Sequence, residues 1–301
     1  MASKTLTFSV RPRGKPLHKL PEELSLSSAS TSSDLYTQLA SSTKTSIHRL
    51  RITKGSDGSF IPNTSSRPVS DTGLRDGSSI YVKDLGPQIS WRLVYVLEYL
   101  GPLLIHPLLY FLLPSSSSPT LLQTLSCTLI TLHFLKRELE TLFLHRFSSA
   151  TMPLFNLFKN SAHYWLLAGL NIAFWTYRSS SPAAGDSNPW ITWPSVALYV
   201  IGELGNLNAH LVLRSLRSSG GNERGIPHGF GFGLVTCPNY MFETLAWVGI
   251  CGVTWSVASV LFATVAVGQM AIWAQKREVR YRREFGGKYQ KKRSVMLPGL
   301  W

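Results

Sequence analysis

The chain has 301 residues, with 30 Lys+Arg against 16 Asp+Glu (net +14), 44% hydrophobic and only 15% charged residues. A soluble domain is about a quarter charged, and residues 85–275 hold just nine basic and seven acidic side chains, which argues against a soluble monomer. Three cysteines argue against a secreted disulfide scaffold, and nine Trp with fourteen Phe against a wholly disordered chain.

Residues 1–84 read as a small α+β unit. Thr5–Val10 alternates as a strand, and Leu17–Ser27 is its expected hairpin partner. Ser33–Ser42 opens with capping residues and spaces Leu35 and Leu39 as a helix does. His48–Thr53 is a third strand, and an Asp76-Gly77 turn leads into a last strand at Ile80–Val82. This order resembles a ubiquitin-like fold. Such a head serves either as a solubilising cap or as a docking module. The N-terminus carries no apolar run of signal-peptide length, so the first membrane segment must direct insertion.

A bilayer core needs about 20 apolar residues per helix. Trp91–Leu113, Thr120–Leu135, Ala162–Tyr177 and Ile191–Leu213 supply four spans, and the stretch Tyr240–Ala274 supplies two closely joined ones. The fold class is therefore mainly α: a polytopic bundle of about six transmembrane helices after the α+β head. With the head in the cytosol, loops 114–119 and 178–190 carry almost no charge. The opposite loops hold Lys136, Arg137, Arg146, Lys159, Arg214, Arg217 and Arg224, followed by nine basic residues in the tail. That asymmetry obeys the positive-inside rule and places both termini in the cytosol. The basic tail suits anionic lipid; a nucleic-acid partner is not expected for a run joined to a span. Some of its residues are alternatively ligands for a phosphorylated cofactor.

Ionisable groups inside a bilayer are costly and mark functional sites. Glu98 and His106 lie in the first span. Glu203, Asn206, Asn208 and His210 lie in the fourth, and Asn239, Tyr240 and Glu243 open the fifth. Asn206 and His210 share a helix face, which Arg214 and Arg217 continue. The bland alternative is interhelical hydrogen-bonding glue. The sequence HGFGFG at 228–233 is not a dinucleotide fingerprint and reads as a flexible re-entrant loop. GxSxG and HExxH are absent, no CxxC occurs, and His133 and His145 stand too far apart for a metal pair, so no metal is expected. Cys127, Cys237 and Cys251 are expected reduced and buried in helices.

The motif GNLNAHLVLRSLR at 205–217, the element LVTCPNYMFETLAWVG at 234–249 and the tail YRREFGGKY…LPGLW resemble the steroid 5α-reductase-type membrane reductases. The segment LKRELETLFLHRFSSATMPLFNLFKNSAHYW at 135–165 is similar to the trans-2,3-enoyl-CoA reductases of very-long-chain fatty-acid elongation, whose N-terminal head is ubiquitin-like. The resemblance implies an endoplasmic-reticulum enzyme that uses NADPH to reduce trans-2-enoyl-CoA, with other elongation enzymes as partners. It makes Tyr240 and Glu98 the catalytic candidates. Asn206, Arg214, Arg217, Asn239, Glu243 and Tyr281 match positions around NADPH, and Lys136, Arg137 and Arg146 are basic candidates for the phosphates of NADPH or coenzyme A. At the substrate end, His210 stands where the wider family often has Asp, and Phe134 where it has an aromatic hydroxyl.

The chemistry asks for a hydride at Cβ, a donor for the charge growing on the thioester oxygen, and a proton at Cα. A phenol, with pKa about 10, keeps its proton at neutral pH, which suits Tyr240. A buried carboxyl such as Glu98 is expected neutral, orienting Tyr240 or bonding the carbonyl. Two rivals stand beside this reading. A membrane methyltransferase using S-adenosylmethionine would also have few spans and an FGxxY-like run, here Phe285–Tyr289. A non-enzymatic membrane adaptor would keep the polar residues only as glue.

Overall fold

The computed structural model describes residues 4–113, 118–147, 149–217, 225–290 and 294–300. Arg224 and the tail residues Lys291, Lys292 and Arg293 lie outside the described residues. Two compact units form: Met1–Ser90 with Ser149–Phe155, and Trp91–Ser148 with Asn156–Trp301.

In the first unit, Leu6, Phe8 and Val10 alternate inward along β1 (Thr5–Pro12). β1 pairs antiparallel with β2 (Glu23–Ser27) and parallel with β4 (Ser79–Asp84). β3 (Leu50–Lys54) pairs antiparallel with β4, giving the order β2-β1-β4-β3. Helix α1 (Ser32–Thr43) starts at a Thr31–Asp34 capping box and puts Leu35, Tyr36 and Leu39 into the same core. The hairpin return is shorter than Leu17–Ser27, because only Glu23–Ser27 continues the ladder. A short strand β5 (Gln88–Ser90) pairs with β6 (Thr151–Pro153) in a separate two-stranded sheet.

The second unit is helical. α2 is Trp91–Leu112, with Pro102 and Pro107 inside it. α3 (Leu121–Leu139) passes directly into a π-helical turn at Glu140–Leu144. A further rod is built from α4 (Phe155–Ser161), a π stretch (Ala162–Asn171) and α5 (Ile172–Tyr177). α6 is Pro189–Ser215, started by the Asn188 cap. The long apolar stretch after residue 237 divides into α7 (Pro238–Thr254) and α8 (Val257–Phe285), with Trp255 in left-handed backbone at the break.

Among the described residues three helices are long and apolar enough to cross a membrane: Trp91–Leu112, Pro189–Ser215 and Val257–Lys288. α3 ends in Lys136, Arg137 and Glu138, α7 has 17 residues, and the α4–α5 rod is interrupted by its π stretch. Large apolar side chains such as Leu104, Leu108, Phe111 and Trp193 point outward, as lipid-facing helices require. The chain is a membrane protein.

Two expectations change. The cysteines are unpaired, but only Cys237 is fully buried, and it caps α7 rather than lying within a helix. His106 is structural: Nδ1 meets the Tyr177 hydroxyl at 2.7 Å and Nε2 meets the Ala168 carbonyl at 2.8 Å, tying α2 to α5 and the π stretch.

Candidate active site

The C-terminal ends of α3, α6 and α8 and the N-terminal ends of α2 and α7 meet at one end of the bundle, as alternating helices must. A cavity of about 300 Å³ opens there. It is lined by six arginines: Arg137, Arg146, Arg214, Arg217, Arg277 and Arg280. Tyr95, His145, His210, Asn239, Tyr240 and Tyr281 complete its polar wall, and among the described residues no carboxylate lines it. A wall of guanidinium groups binds polyanions, since each presents a planar fork that matches phosphate oxygens.

Local structure fixes several of these side chains. Arg217 donates to the Arg146 carbonyl, and Arg146 Nη1 to the Arg214 carbonyl at 3.4 Å. Arg137 Nη2 donates to the Tyr99 hydroxyl at 3.0 Å and Nη1 to Glu140 Oε2 at 2.6 Å. Tyr240 Oη accepts from Arg277 Nη2 at 3.4 Å. The position of Tyr240 follows from the start of α7: Cys237 caps it, Pro238 fills the first turn where no N–H is needed, and Tyr240 N–H closes on the Cys237 carbonyl at 3.1 Å.

Behind this wall lies a second polar layer. Asn206 Nδ2 donates to the Asn239 carbonyl and to Glu243 Oε2, both at 2.9 Å, while its Oδ1 accepts from Lys136 Nζ at 2.6 Å. Lys136 also pairs with Glu203 Oε2 at 2.9 Å. His133 has Nδ1 2.6 Å from Glu203 Oε1 and Nε2 3.3 Å from Glu243 Oε1. The network joins α3, α6 and α7 and holds the residue preceding Tyr240.

The predicted residues therefore separate. Tyr240, Arg146, Arg214, Arg217, Asn239, Tyr281 and His210 line the cavity; Asn206, Glu243 and Lys136 belong to the layer behind it. Phe134 is fully buried in an aromatic cluster with Tyr99, Tyr164 and Trp247, away from the cavity wall. Glu98 is also buried off the wall, one turn beyond Tyr95 on α2, and its Oε2 has no hydrogen-bond partner. Glu140, His145 and His210 bring ligand atoms within 4.8 Å of one another. Arg137 Nη1 already fills the cation position of that cluster, 2.6 Å from Glu140 Oε2 and 3.4 Å from His210 Nδ1. Burial pushes the Glu140 carboxyl up, but the His210 hydrogen bond and the cations Arg137 and Lys136 outweigh it and hold Glu140 below the usual carboxylate range.

His133 and Tyr95 were not marked as site residues by the sequence, and Arg277 and Arg280 were marked only within the basic tail, as alternative ligands for a phosphorylated cofactor. A signal existed for the first. His133, Lys136, Arg137 and Glu140 follow i, i+3, i+4, i+7, the same polar stripe that singled out Asn206 and His210. Arg277 and Arg280 were hidden in the charge of the tail. Together with Tyr281 they form one face of α8, whereas Lys276, Arg282 and Arg283 are exposed.

A membrane helical bundle with a tyrosine in the wall of an arginine-lined cavity has the makings of an enzyme acting on phosphorylated ligands. The chain belongs to the 3-oxo-5-alpha-steroid 4-dehydrogenase family, whose pattern it matches over residues 150–301. Among its relatives is a putative enoyl reductase of Schizosaccharomyces pombe, 39% identical over 97% of this chain and 99% of the relative. The very-long-chain enoyl-CoA reductase of Dictyostelium discoideum is 40% identical over 92% and 94%. A probable very-long-chain enoyl-CoA reductase of Caenorhabditis elegans is 36% identical over 79% and 80%.

Proposed function

We propose that this chain is a very-long-chain trans-2-enoyl-CoA reductase, reducing the C2=C3 bond with NADPH in the last step of the fatty-acid elongation cycle. The observation that carries this reading is Tyr240 in the wall of a cavity lined by six arginines.

That donor set fits both ligands. NADPH and coenzyme A carry several phosphates each, and Arg146, Arg214 and Arg217 are assigned to those of NADPH, with Asn239 and Tyr281 on its polar groups. Asn206, Lys136 and Glu243 act from behind by fixing Asn239. His210 lines the substrate side, and the acyl chain extends into the apolar bundle, where the buried cluster around Phe134 supports the packing without lining the cavity. The reduced nicotinamide, when bound, supplies the hydride for Cβ. Tyr240 holds a proton over the cavity and delivers it to Cα. Glu98, buried off the wall one turn beyond Tyr95, acts indirectly, by orienting the residues around Tyr240.

The wider reading is a six-span protein of the endoplasmic reticulum. α3, the α4–α5 rod and α7 cross the bilayer together with the three long helices. Both termini lie in the cytosol, where the basic loops, the lipid surface and other elongation enzymes meet. Residues 1–84 form a ubiquitin-like head, a reading supported by the β2-β1-β4-β3 order and the packing of α1; residues 85–301 form the reductase domain with the basic tail.

The test is NADPH oxidation by detergent-purified protein given a long-chain trans-2-enoyl-CoA. Oxidation should require the enoyl-CoA and fall at least about 10²-fold in Tyr240→Phe. A folded wild type that oxidises no NADPH would sink the proposal and direct the next measurement to S-adenosylmethionine binding.

A further inference from the structure

Arg277, Arg280 and Tyr281 face the cavity from one side of α8, but of these only Arg277 reaches Tyr240. Its Nη2 donates to Tyr240 Oη at 3.4 Å, and its guanidinium carbon lies 5.2 Å from the centre of the Tyr240 ring. Trp273, one turn earlier on α8, packs against the same ring at 6.4 Å. Tyr240 Oη is therefore an acceptor toward Arg277, and no acceptor for its own O–H is found among the described residues. Nor does an ion pair engage Arg277 among them. Arg277 thus sets a cation directly beside the Tyr240 oxygen on the cavity wall. Catalytic hydrogen bonds are often long without substrate and tighten in the reacting complex.

We propose that Arg277 is a positioning residue for the reduction, holding the Tyr240 oxygen and balancing the negative charge left there when the proton departs. This rests on the reading of Tyr240 as the proton donor. In that step Cβ has received hydride from the reduced nicotinamide, and the electron pair of the resulting thioester enolate forms the new Cα–H bond. The Tyr240 O–H bond breaks, and the oxygen keeps its electron pair as a phenolate. A solvent proton entering through the open cavity restores the phenol. A fixed cation beside the oxygen lowers the barrier only while that charge develops, so its loss is felt in kcat. A phosphate ligand, the other job open to a cavity arginine, would be felt in KM.

The experiment compares Arg277→Gln, Arg277→Lys, Arg280→Gln, Tyr240→Phe and the Tyr240→Phe/Arg277→Gln double variant in the full-length membrane protein. Each is assayed with NADPH and a long-chain trans-2-enoyl-CoA. Arg277→Gln should lower kcat by about 10²-fold, leave both KM values little changed and enlarge the solvent deuterium isotope effect on kcat. Arg277→Lys should recover part of the loss, since charge returns without the fork. Arg280→Gln should raise the KM for NADPH without enlarging the isotope effect. In the Tyr240→Phe background Arg277→Gln should add no further loss, because the two act as one unit. A readout without turnover is the fluorine resonance of protein labelled with 3-fluorotyrosine, assigned by its disappearance in Tyr240→Phe. It should move in Arg277→Gln and return toward its original position in Arg277→Lys. If Tyr240→Phe keeps wild-type kcat, the donor reading falls and this inference with it. If Tyr240→Phe is inactive while Arg277→Gln keeps kcat and isotope effect, or leaves the fluorine resonance unmoved, the inference alone is overturned.

Discussion

Asn206 is held on three sides, donating to the Asn239 carbonyl and to Glu243 while accepting from Lys136. An amide is the one side chain of this size that both donates twice and accepts. Asn206→Asp keeps the shape but loses both donors and adds a charge beside Glu243. Leaving buried partners unsatisfied costs about 1–3 kcal/mol, so the variant should melt at lower temperature and lose most of its activity. Unchanged thermal unfolding in detergent would show that the network is not formed. The importance of Asn206 was legible from the sequence, because a polar residue on an apolar helix demands partners. Its partners were not, since Lys136 and Glu243 come from helices far away in the chain. Glu98 illustrates the converse: its burial was foreseeable from its span, while its place off the cavity wall depends on the way α2 packs.

At the scale of elements, α6 and α7 make the most extensive contact in the bundle, and small residues allow it. A Cβ built on Gly202 would stand 2.5 Å from the Ala246 nitrogen, and one on Gly249 would stand 2.5 Å from the Ser195 carbonyl oxygen. Both obstacles are backbone, so the helices themselves would have to part. Close approach of this kind is how membrane helices gain packing energy without a hydrophobic driving force between them. Gly202→Ala should therefore displace the start of α7, where Tyr240 sits. Activity and thermal stability should fall together, whereas Gly268→Ala, on α8 with open space at its Cβ, should leave both intact. Equal tolerance at the two positions would contradict the close packing. The sequence marked this region as apolar and long enough for two helices, and the start of α7 is signalled by Pro238. The π segments at Glu140–Leu144 and Ala162–Asn171 were not legible, because π and α helices share nearly the same apolar spacing and differ only through tertiary packing.

The whole molecule divides its net charge of +14 between two kinds of site. In the head, among the described residues, a cation meets an acid in an ordinary pair. Arg49 and Asp84 lie 2.5 Å apart, and the guanidinium, with the Gly86 N–H, holds the Asp84 carboxyl below its usual range against a smaller cost of burial. A depressed folded value stabilises above the unfolded one, about 3.9, and the contribution vanishes as pH falls through the folded value. Asp84→Asn should thus cost about 1 kcal/mol or less at pH 7, the pair being part exposed, and nothing once the pH lies well below both values. Hydrogen exchange of the head across pH reads this directly; a cost that persists in acid would contradict it.

In the cavity, by contrast, six arginines converge on one wall, and an anionic ligand adds charge of the opposite sign among them. That contrast predicts how binding responds to salt. Screening shortens electrostatic reach to about 10 Å at 0.1 M salt, and the cavity is open enough for ions to enter. The KM for NADPH should rise several-fold with ionic strength while kcat stays nearly constant, because Tyr240 and Arg277 touch directly and lie half-buried. Arg214, which is exposed, contributes through that screened field, so Arg214→Gln should raise KM at low salt and flatten its salt dependence. A KM indifferent to ionic strength in the wild type would mean that the arginines serve structure rather than phosphate.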